Sequence, residues 1–268
     1  DSLDHDGHSA IISRLCSGEI DISDVETYAD NVLEFFNVDS LDCNGHASII
    51  SRLCLGEIDI SDVETFADNV LTFFNVDSLD HDGHSAIISR LCSGAIDISD
   101  VETYADNVLT FFNVDSLHHD GHTSIISKLC LDEIDISDVE THSDNVLKFF
   151  KVGSIDGGHA SVISKLCLDK IEISDVETYT GKVFEIFKVD SIKRDSHTAL
   201  VSRLCLGKLD ISEVEQVTKK LRKIFGLREA LHSCSLISII SKLAGMTSVK
   251  ERKKILSNCQ RISPNALR

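Results

Sequence analysis

Histidine, aspartate and cysteine recur together along this chain, and they are the side chains that could do chemistry. The segment DHDGHSAIISRLC, residues 4–16, places two aspartates beside His5 and His8 and ends in Cys16. Imidazole nitrogens and carboxylate oxygens are ligands of zinc and copper. A thiol activated by a histidine is a nucleophile. The segment therefore raises two hypotheses, a repeated metal site and a repeated Cys–His pair.

The metal hypothesis depends on a histidine that returns in six successive copies of the segment. The six are His8, His46, His84, His122, His159 and His197. The second histidine does not persist, because His5 is replaced by Cys43 in the second copy and by Arg194 in the sixth. A repeated metal site would keep its ligands, so we favour a packing role. In that role the histidine is buried in the first turn of its helix and bonds to a backbone carbonyl of the adjacent copy. Metal coordination by the histidine column is the alternative.

A calcium site is excluded by the spacing of the acidic residues. The residues SLDHDG at 2–7 resemble the start of an EF-hand loop, with Gly7 at the sixth position. That alignment puts Ser13 where the loop needs a bidentate glutamate. We therefore expect no EF-hand in the repeats.

The repeated cysteine is expected to pack rather than react. His8 and Cys16 lie eight residues apart on one predicted helix, which separates them by about 12 Å along its axis. Cys16 also falls in the apolar stripe, where a buried thiol behaves as a small hydrophobic group. Cys234 and Cys259 differ, because they lie near the two ends of the last predicted helix pair. They are the candidates for a disulfide, which would fit an oxidising compartment.

A tandem repeat of 38 residues organises the chain. The copies occupy residues 1–38, 39–76, 77–114, 115–152, 153–189 and 190–227, the fifth with one residue deleted. Residues 228–268 keep SIISKLAG at 238–245 and form a divergent, basic C-terminal repeat and tail. Two short helices cannot bury their apolar stripes alone, but stacked copies can. The sequence therefore predicts an all-α solenoid of six helix-turn-helix repeats and a seventh, capping repeat.

Each repeat is predicted to contain two amphipathic helices, A and B. In the first repeat the stripe of helix A is His8, Ile11, Ile12, Leu15 and Cys16, and that of helix B is Val25, Tyr28, Ala29, Val32, Leu33 and Phe36. Asp6 is the predicted N-cap of helix A, and Gly18 ends that helix. Helix B is predicted to begin at a capping box of Ser23 and Glu26. The box returns at Ser61, Ser99, Ser137, Ser174 and, in altered form, at Ser212 with Glu215.

A basic residue borders the stripe of helix A in every repeat. The column is Arg14, Arg52, Arg90, Lys128, Lys165, Arg203 and Lys242. In an acidic protein its simplest role is to pair with Asp or Glu of adjacent repeats. A ladder that binds a ligand is the alternative. The sequence contains no glycine-rich phosphate loop, nucleophile elbow or paired catalytic carboxylates.

Charge is distributed unevenly along the chain. The net charge is −18, but residues 1–189 sum to −27 and residues 190–268 to +9. An acidic body disfavours nucleic acid and anionic membranes as partners. No apolar run approaches the roughly 18 residues that a membrane-spanning helix needs.

These features predict a non-enzymatic structural or interaction protein, because identical repeats do not bring different catalytic groups together. The expected partner is a second copy joined head to tail, or another protein, since ends of opposite charge attract. The first repeat begins at its own boundary, so its apolar face has no preceding repeat to cover it. No cofactor is expected for this function. The alternative is a carrier or scavenger that holds a small apolar ligand, haem or metal through the histidine column and the Phe35–Phe36 pairs.

The start of the chain bears on where the protein acts. The chain begins at Asp1, and its one methionine is Met246. Removal of a leader would explain this start and predicts a secreted protein. A fragment of a longer chain is the alternative explanation.

Overall fold

The computed structural model describes residues 6–193, 195–226 and 233–246, and then residues 248, 250, 251, 254, 255, 257 and 258. Within these residues the chain is all-helical, with thirteen helices of similar length in tandem and no strand. The predicted all-α solenoid of helix-turn-helix repeats is confirmed. None of the described helices is long and apolar enough to cross a bilayer.

Two helix types alternate along the chain. Helix A of successive repeats is α1 (Asp6–Ser17), α3 (Asn44–Cys54), α5 (Asp82–Cys92), α7 (Asp120–Cys130), α9 (Gly157–Cys167), α11 (Asp195–Cys205) and α13 (Cys234–Ala244). Helix B is α2 (Ile22–Phe35), α4 (Ile60–Phe74), α6 (Ile98–Phe112), α8 (Ile136–Phe150), α10 (Ile173–Phe187) and α12 (Ile211–Phe225). Equivalent helices of the first four repeats begin 38 residues apart, which is the period of the sequence.

The chain forms two compact units, residues 1–137 and residues 138–268. In the first unit each helix A packs on helix A of the next repeat, in the order α1, α3, α5 and α7. Each helix B of that unit packs on helix A of the following repeat. In the second unit α9, α11 and α13 pack in the same order, and α10 packs on α11 and α12. Repeats within a unit thus bury their apolar stripes against one another.

The predicted stripes form the core. In the second repeat the residues at most 3% exposed include His46, Ile49, Ile50 and Leu53 of α3 and Val63, Ala67, Val70 and Phe74 of α4. Cys54 is half-buried, because it lies at the edge of the stripe. In the first repeat Ile12 and Cys16 are exposed instead, since α1 packs on α3 but on no earlier helix.

Helix B does not begin at the serine predicted as its N-cap. The cap is the aspartate two residues earlier: Ser61 donates its backbone N–H to Asp59 Oδ1 at 3.0 Å and its hydroxyl to the same oxygen at 2.8 Å. The pair recurs as Asp21–Ser23, Asp97–Ser99, Asp135–Ser137 and Asp210–Ser212. The predicted capping box is therefore wrong. The aspartate has the extended backbone of an N-cap, whereas the serine already lies inside the first turn.

In the first unit helix A is capped by the neighbouring repeat, whereas α9 is capped by its own Asp156 and α13 by its own Ser233. Asp82 stands at the first position of α5, after the N-cap His81, and its Oδ1 accepts the backbone N–H of Gly45 in α3 at 2.7 Å. Asp120 accepts the N–H of Gly83 in the same way at 2.8 Å. The N-cap role predicted from Asp6 is thus wrong at these equivalent aspartates. Their carboxylates reach the unsatisfied N–H groups at the start of the preceding helix A instead.

Glycine at this position lets the A helices approach closely. A Cβ added to Gly45 would lie 2.5 Å from the Cβ of Ser85 in the next repeat. One added to Gly7 would lie 2.8 Å from the Cβ of Ala47. A larger residue here would push adjacent helices apart, so the repeat spacing depends on this glycine.

Candidate functional site

The histidine column lies at the junctions between repeats. The Nε2 atom of His46 is 2.9 Å from the carbonyl oxygen of Leu79 in the following repeat, and His84 Nε2 is 3.1 Å from that of Leu117. The same contact is 2.9 Å for His8, to Leu41, and 2.7 Å for His159, to Ile192. His122 and His197 are equally buried at this helix position. The predicted bond to a carbonyl of the adjacent repeat is confirmed for His8, His46, His84 and His159.

Burial favours the neutral imidazole in His46 and His84. Nε2 must carry the proton to donate to the carbonyl, which leaves a lone pair on Nδ1. In His46 and His84 the buried Nδ1 has no hydrogen-bond partner among the described residues. Burial lowers the pKa of both side chains, and it outweighs the opposing effects of the carbonyl bond and the nearby aspartates. A proton on Nδ1 would have no acceptor there.

A phenylalanine at the end of helix B packs against the histidine of the following repeat in the first five repeats. The ring centroids of Phe36 and His46 are 5.4 Å apart in an edge-on arrangement, and those of Phe112 and His122 are 5.3 Å apart. Phe36 is fully buried, as its place in the predicted core stripe requires. Both rings are therefore used inside the junction, and neither lines an open groove.

The predicted metal site concerns clusters of histidine, cysteine and carboxylate side chains. Among the residues that the structure describes, no group of three or more His, Cys, Asp and Glu side chains is placed to hold a metal ion. His118 and His119 come together in the fourth repeat, with ring centroids 4.0 Å apart and the ring planes tilted by 48°. His5 lies outside the described residues. The metal site predicted from Asp4, His5, Asp6 and His8 therefore stays a prediction.

The repeated cysteines lie at the edge of the core. From the second repeat to the sixth they are half-buried rather than fully buried as predicted, and Cys16 is exposed. Burial raises the pKa of Cys92 to about 11 and that of Cys130 to about 12, and an aspartate at the start of helix B, Asp62 or Asp100, adds to the shift. Nucleophilic cysteines have the opposite shift. The arrangement therefore does not activate them.

The predicted disulfide falls at the edge of the described chain. Cys234 is exposed at the first position of α13. Cys259 lies outside the described residues, so the bridge between them stays a prediction.

Arginines of the basic column bond to serines across the junctions. Nη1 of Arg52 donates to the hydroxyl and, at 3.2 Å, to the carbonyl of Ser89 in the next repeat. Nη1 of Arg203 donates to the hydroxyl of Ser241 at 2.6 Å. The acidic partner of Arg52 is Glu57 of its own repeat, at 3.3 Å. The prediction of acidic partners in adjacent repeats is wrong for these arginines, because a serine lies opposite each of them.

Other members of the column have more local surroundings. Lys128 and Lys165 bond to the hydroxyls of serines one turn earlier in their own helices, at 2.5 and 2.6 Å. Arg90 lines an open groove of about 230 Å³ between α5 and α7, which it shares with Lys128, Asp120 and Glu133. Arg14 is half-buried and Lys242 is exposed. The column is thus interleaved with polar and acidic groups.

One face of the first repeat is uncovered. Ile12, Val25 and Ala29, which we call the upstream face, line an open groove of about 270 Å³ beside α3. Ile12 is 42% exposed, whereas its equivalents Ile50 and Ile88 are 1% and 0% exposed. The uncovered apolar face expected from the repeat boundaries is confirmed.

On α13 the exposed face is the one that contacts the following repeat in earlier A helices. Ile239 is 44% exposed, although its equivalents in the same unit, Val162 and Leu200, are at most 1% exposed. Lys242, also exposed, follows one turn later on the same side of the helix. We call Ile239 and Lys242 the downstream face. Sequence analysis missed it, although the signal was present, because Ile239 aligns with a position that is apolar in every repeat.

No protein-family model, no curated protein and no solved structure matches the chain. Its function therefore has to be argued from the junctions and the uncovered faces alone.

Proposed function

We propose that this protein is a non-enzymatic structural or interaction protein that associates with further copies of itself, head to tail, through ends of opposite charge. The observation that carries the proposal is the uneven charge, which makes residues 1–137 strongly acidic and residues 190–268 basic. The upstream face consists of residues whose equivalents in later repeats are buried by another repeat.

The comparison within the first unit supports this use of the face. Val25 and Ala29 are half-buried, whereas Val63 and Ala67 in the second repeat are fully buried. Covering the exposed part of Ile12 alone contributes only about 1 kcal/mol. A stable contact therefore needs the whole face and a partner of matching shape, which another repeat supplies.

Charge favours a second copy as that partner. Residues 1–137 contain 28 Asp and Glu but 4 Lys and Arg, whereas residues 190–268 contain 16 Lys and Arg but 7 Asp and Glu. Opposite charges speed encounter and set the orientation of association. A head-to-tail contact uses two different surfaces, so each added copy presents a new free end and the assembly can grow.

The chemistry of the repeats supports a role without catalysis. An active site needs different groups held around one reacting centre. Here the first six repeats carry the same histidine and cysteine, burial raises the pKa of thiols such as Cys92, and histidines such as His46 donate to backbone carbonyls.

Light scattering against salt concentration tests the proposal. We expect oligomers at about 0.05 M salt that dissociate towards about 0.5 M, because screening weakens attraction between exposed charges. Ile12→Asp should remain monomeric throughout. Ala199→Asp, which adds the same charge at an exposed position of α11, is the matched control and should behave like the unaltered chain.

Two results would contradict the proposal. One is a monomer whose mass does not depend on salt or concentration. The other is an oligomer that a chelator dissociates, which would favour the metal carrier instead.

A further inference from the structure

We propose that a basic groove between α10 and α12 of one copy binds the acidic outer surface of α4 and α6 of a second copy. This inference rests on the proposed self-association and names the two surfaces that meet. The basic groove consists of Lys182, Lys188, Lys219 and Arg222. The acidic surface consists of Glu64, Asp68, Glu102 and Asp106.

The basic groove is an open cleft of about 430 Å³ in the second unit, where α10 packs on α12. Besides its four cationic side chains, the described lining contains two carboxylates, those of Glu185 and Glu215. Positive charge is therefore in excess among the described residues of the lining. The three lysines of the groove are exposed, so their ammonium groups can reach the surface of a partner.

Arg222 fixes the two walls of the groove relative to each other. It is half-buried on α12, and its Nη2 donates to the carbonyl oxygens of Ile186 and Phe187 at the end of α10, at 3.4 and 3.2 Å. The equivalent residue in α4 is Leu71, which has no side-chain donor. The groove is thus built from residues of both helices and has a guanidinium group between them.

The ion pairs inside the groove are local and exposed. Lys219 pairs with Glu215 of the same helix at 2.6 Å, and Lys182 with Glu185 of its own helix at 3.9 Å. Exposed pairs of this kind contribute little to stability. Carboxylates of a second copy can therefore compete for both lysines at low cost.

Folding of helix B does not require positive charge at these positions. The residues of α4 equivalent to Lys182, Lys219 and Lys188 are Asn69, Asp68 and Asn75. Even so, α4 and α10 are both helices of 15 residues that end in a left-handed C-cap. The lysines therefore change the outer surface of the repeat and leave its fold as it is.

The acidic surface contains no positive charge of its own helices, because α4 and α6 have neither lysine nor arginine. Asp68 follows Glu64 by four residues, and Asp106 follows Glu102 in the same way, so each pair lies on one side of its helix. All four carboxylates are exposed. Since α4 packs on both α2 and α6, this exposure occurs inside the array of repeats.

The two surfaces match in geometry and in charge. Each spans two B helices of consecutive repeats, so its two rows of charged side chains are one repeat apart. Two acidic surfaces packed together would place like charges at the interface, which is costly. A single exposed ion pair is weak, so a surface that offers several carboxylates at once is a better occupant of the groove than a small anion.

Charge reversal on each surface tests the contact. Lys182→Glu with Lys219→Glu reverses the groove, and Asp68→Lys with Asp106→Lys reverses the acidic surface. At about 0.05 M salt each double variant should associate about 10-fold more weakly than the unaltered chain, because like charges then face each other. The difference should shrink towards about 0.5 M salt. Sedimentation velocity over a concentration series measures the association.

Combining all four substitutions tests whether these two surfaces meet. The combined chain has the net charge of the unaltered chain, but its two surfaces have exchanged their signs at the substituted positions. Its association should return to within about 3-fold of that of the unaltered chain, because the substitutions interact only if the surfaces touch. A combined chain that associates as weakly as the double variants would overturn the pairing.

Lys170→Glu with Lys208→Glu is the matched control. Both lysines are exposed in the turns between helices A and B of the same two repeats, and neither lines the groove. The control should associate within about 2-fold of the unaltered chain, since local rather than total charge sets the contact. Equal weakening by the control and by the groove variant would overturn the role of the groove.

The remaining outcomes separate the groove from the proposed function. All substituted residues are exposed, so helical circular dichroism should stay unchanged in every variant. If the groove variant associates as strongly as the unaltered chain, self-association stands and the groove is wrong. If the unaltered chain stays monomeric at all concentrations, the proposed function itself fails.

Discussion

The histidine at the first turn of helix A combines two roles that a leucine could not. Its ring fills the core against a phenylalanine such as Phe36, and its Nε2 donates to a carbonyl that the following repeat would otherwise leave buried and unpaired. In α13 the equivalent residue is Leu236. In four of the six repeats that carry the histidine, a carbonyl of the following repeat accepts from its Nε2.

The pH dependence of stability should follow from the buried histidines whose pKa is lowered, His46 and His84. The pKa of His84 is lowered from its ordinary value of 6.5 in the folded chain. The unfolded chain therefore binds protons that the folded chain does not. The contribution of His84 to the stability of the fold is complete above about pH 6.5. It is lost as the pH falls towards the pKa of His84 in the folded chain. We expect urea unfolding to give a lower free energy of unfolding at about pH 5.5 than at about pH 7.5.

His84→Leu separates this effect from general acid destabilisation. The variant should lose about 1 to 3 kcal/mol at neutral pH, because the carbonyl of Leu117 loses its donor. Its free energy of unfolding should also change less between neutral and acidic pH than that of the unaltered chain. An unchanged pH dependence would mean that His84 does not titrate on unfolding.

Local patterns in the sequence predict the helices, while contacts between helices decide how they are capped. The apolar period predicts both helices and their core faces, and Gly18 marks the end of α1 with a φ of 74°. Asp21 and Ser23 are both good N-caps, so residue type alone could not choose between them. The contacts of Asp82 with Gly45 and of Arg52 with Ser89 join residues 37 positions apart. They depend on how helices stack, which local propensity does not encode.

Substitution at the start of helix B should distinguish the two caps. The hydrogen bonds from the backbone and the hydroxyl of Ser99 lower the pKa of Asp97. Asp97→Ala should therefore reduce the thermal unfolding midpoint more than Ser99→Ala, and the difference should shrink as acid protonates the carboxylate. A larger decrease of the midpoint in Ser99→Ala would show that the serine, and not Asp97, caps α6.

Two glycines of the A and B helices should respond in opposite directions to alanine. Gly45→Ala should destabilise the fold by about 1 to 3 kcal/mol, because its methyl group would overlap Ser85 of the next repeat. Gly181→Ala in α10 meets nothing within 4 Å and should stabilise the fold by about 0.5 to 1 kcal/mol. Chemical denaturation of both variants measures the difference. Equal effects would show that close approach at Gly45 does not set the repeat spacing.

At the scale of the whole molecule, each unit is stabilised by one kind of contact between its repeats. Inside each unit the junction combines buried isoleucines, a histidine–carbonyl bond and a bond to a serine hydroxyl. The upstream and downstream faces expose the two halves of that junction on α1 and α13. Repetition thus explains how the repeats within each unit pack on one another.

The most direct test of self-association is the mass of the unaltered chain over a concentration series at low salt, measured by sedimentation equilibrium. The account predicts a mass that rises steadily above the 29.5 kDa of one chain, without stopping at a dimer. A mass of 29.5 kDa at every concentration would contradict it.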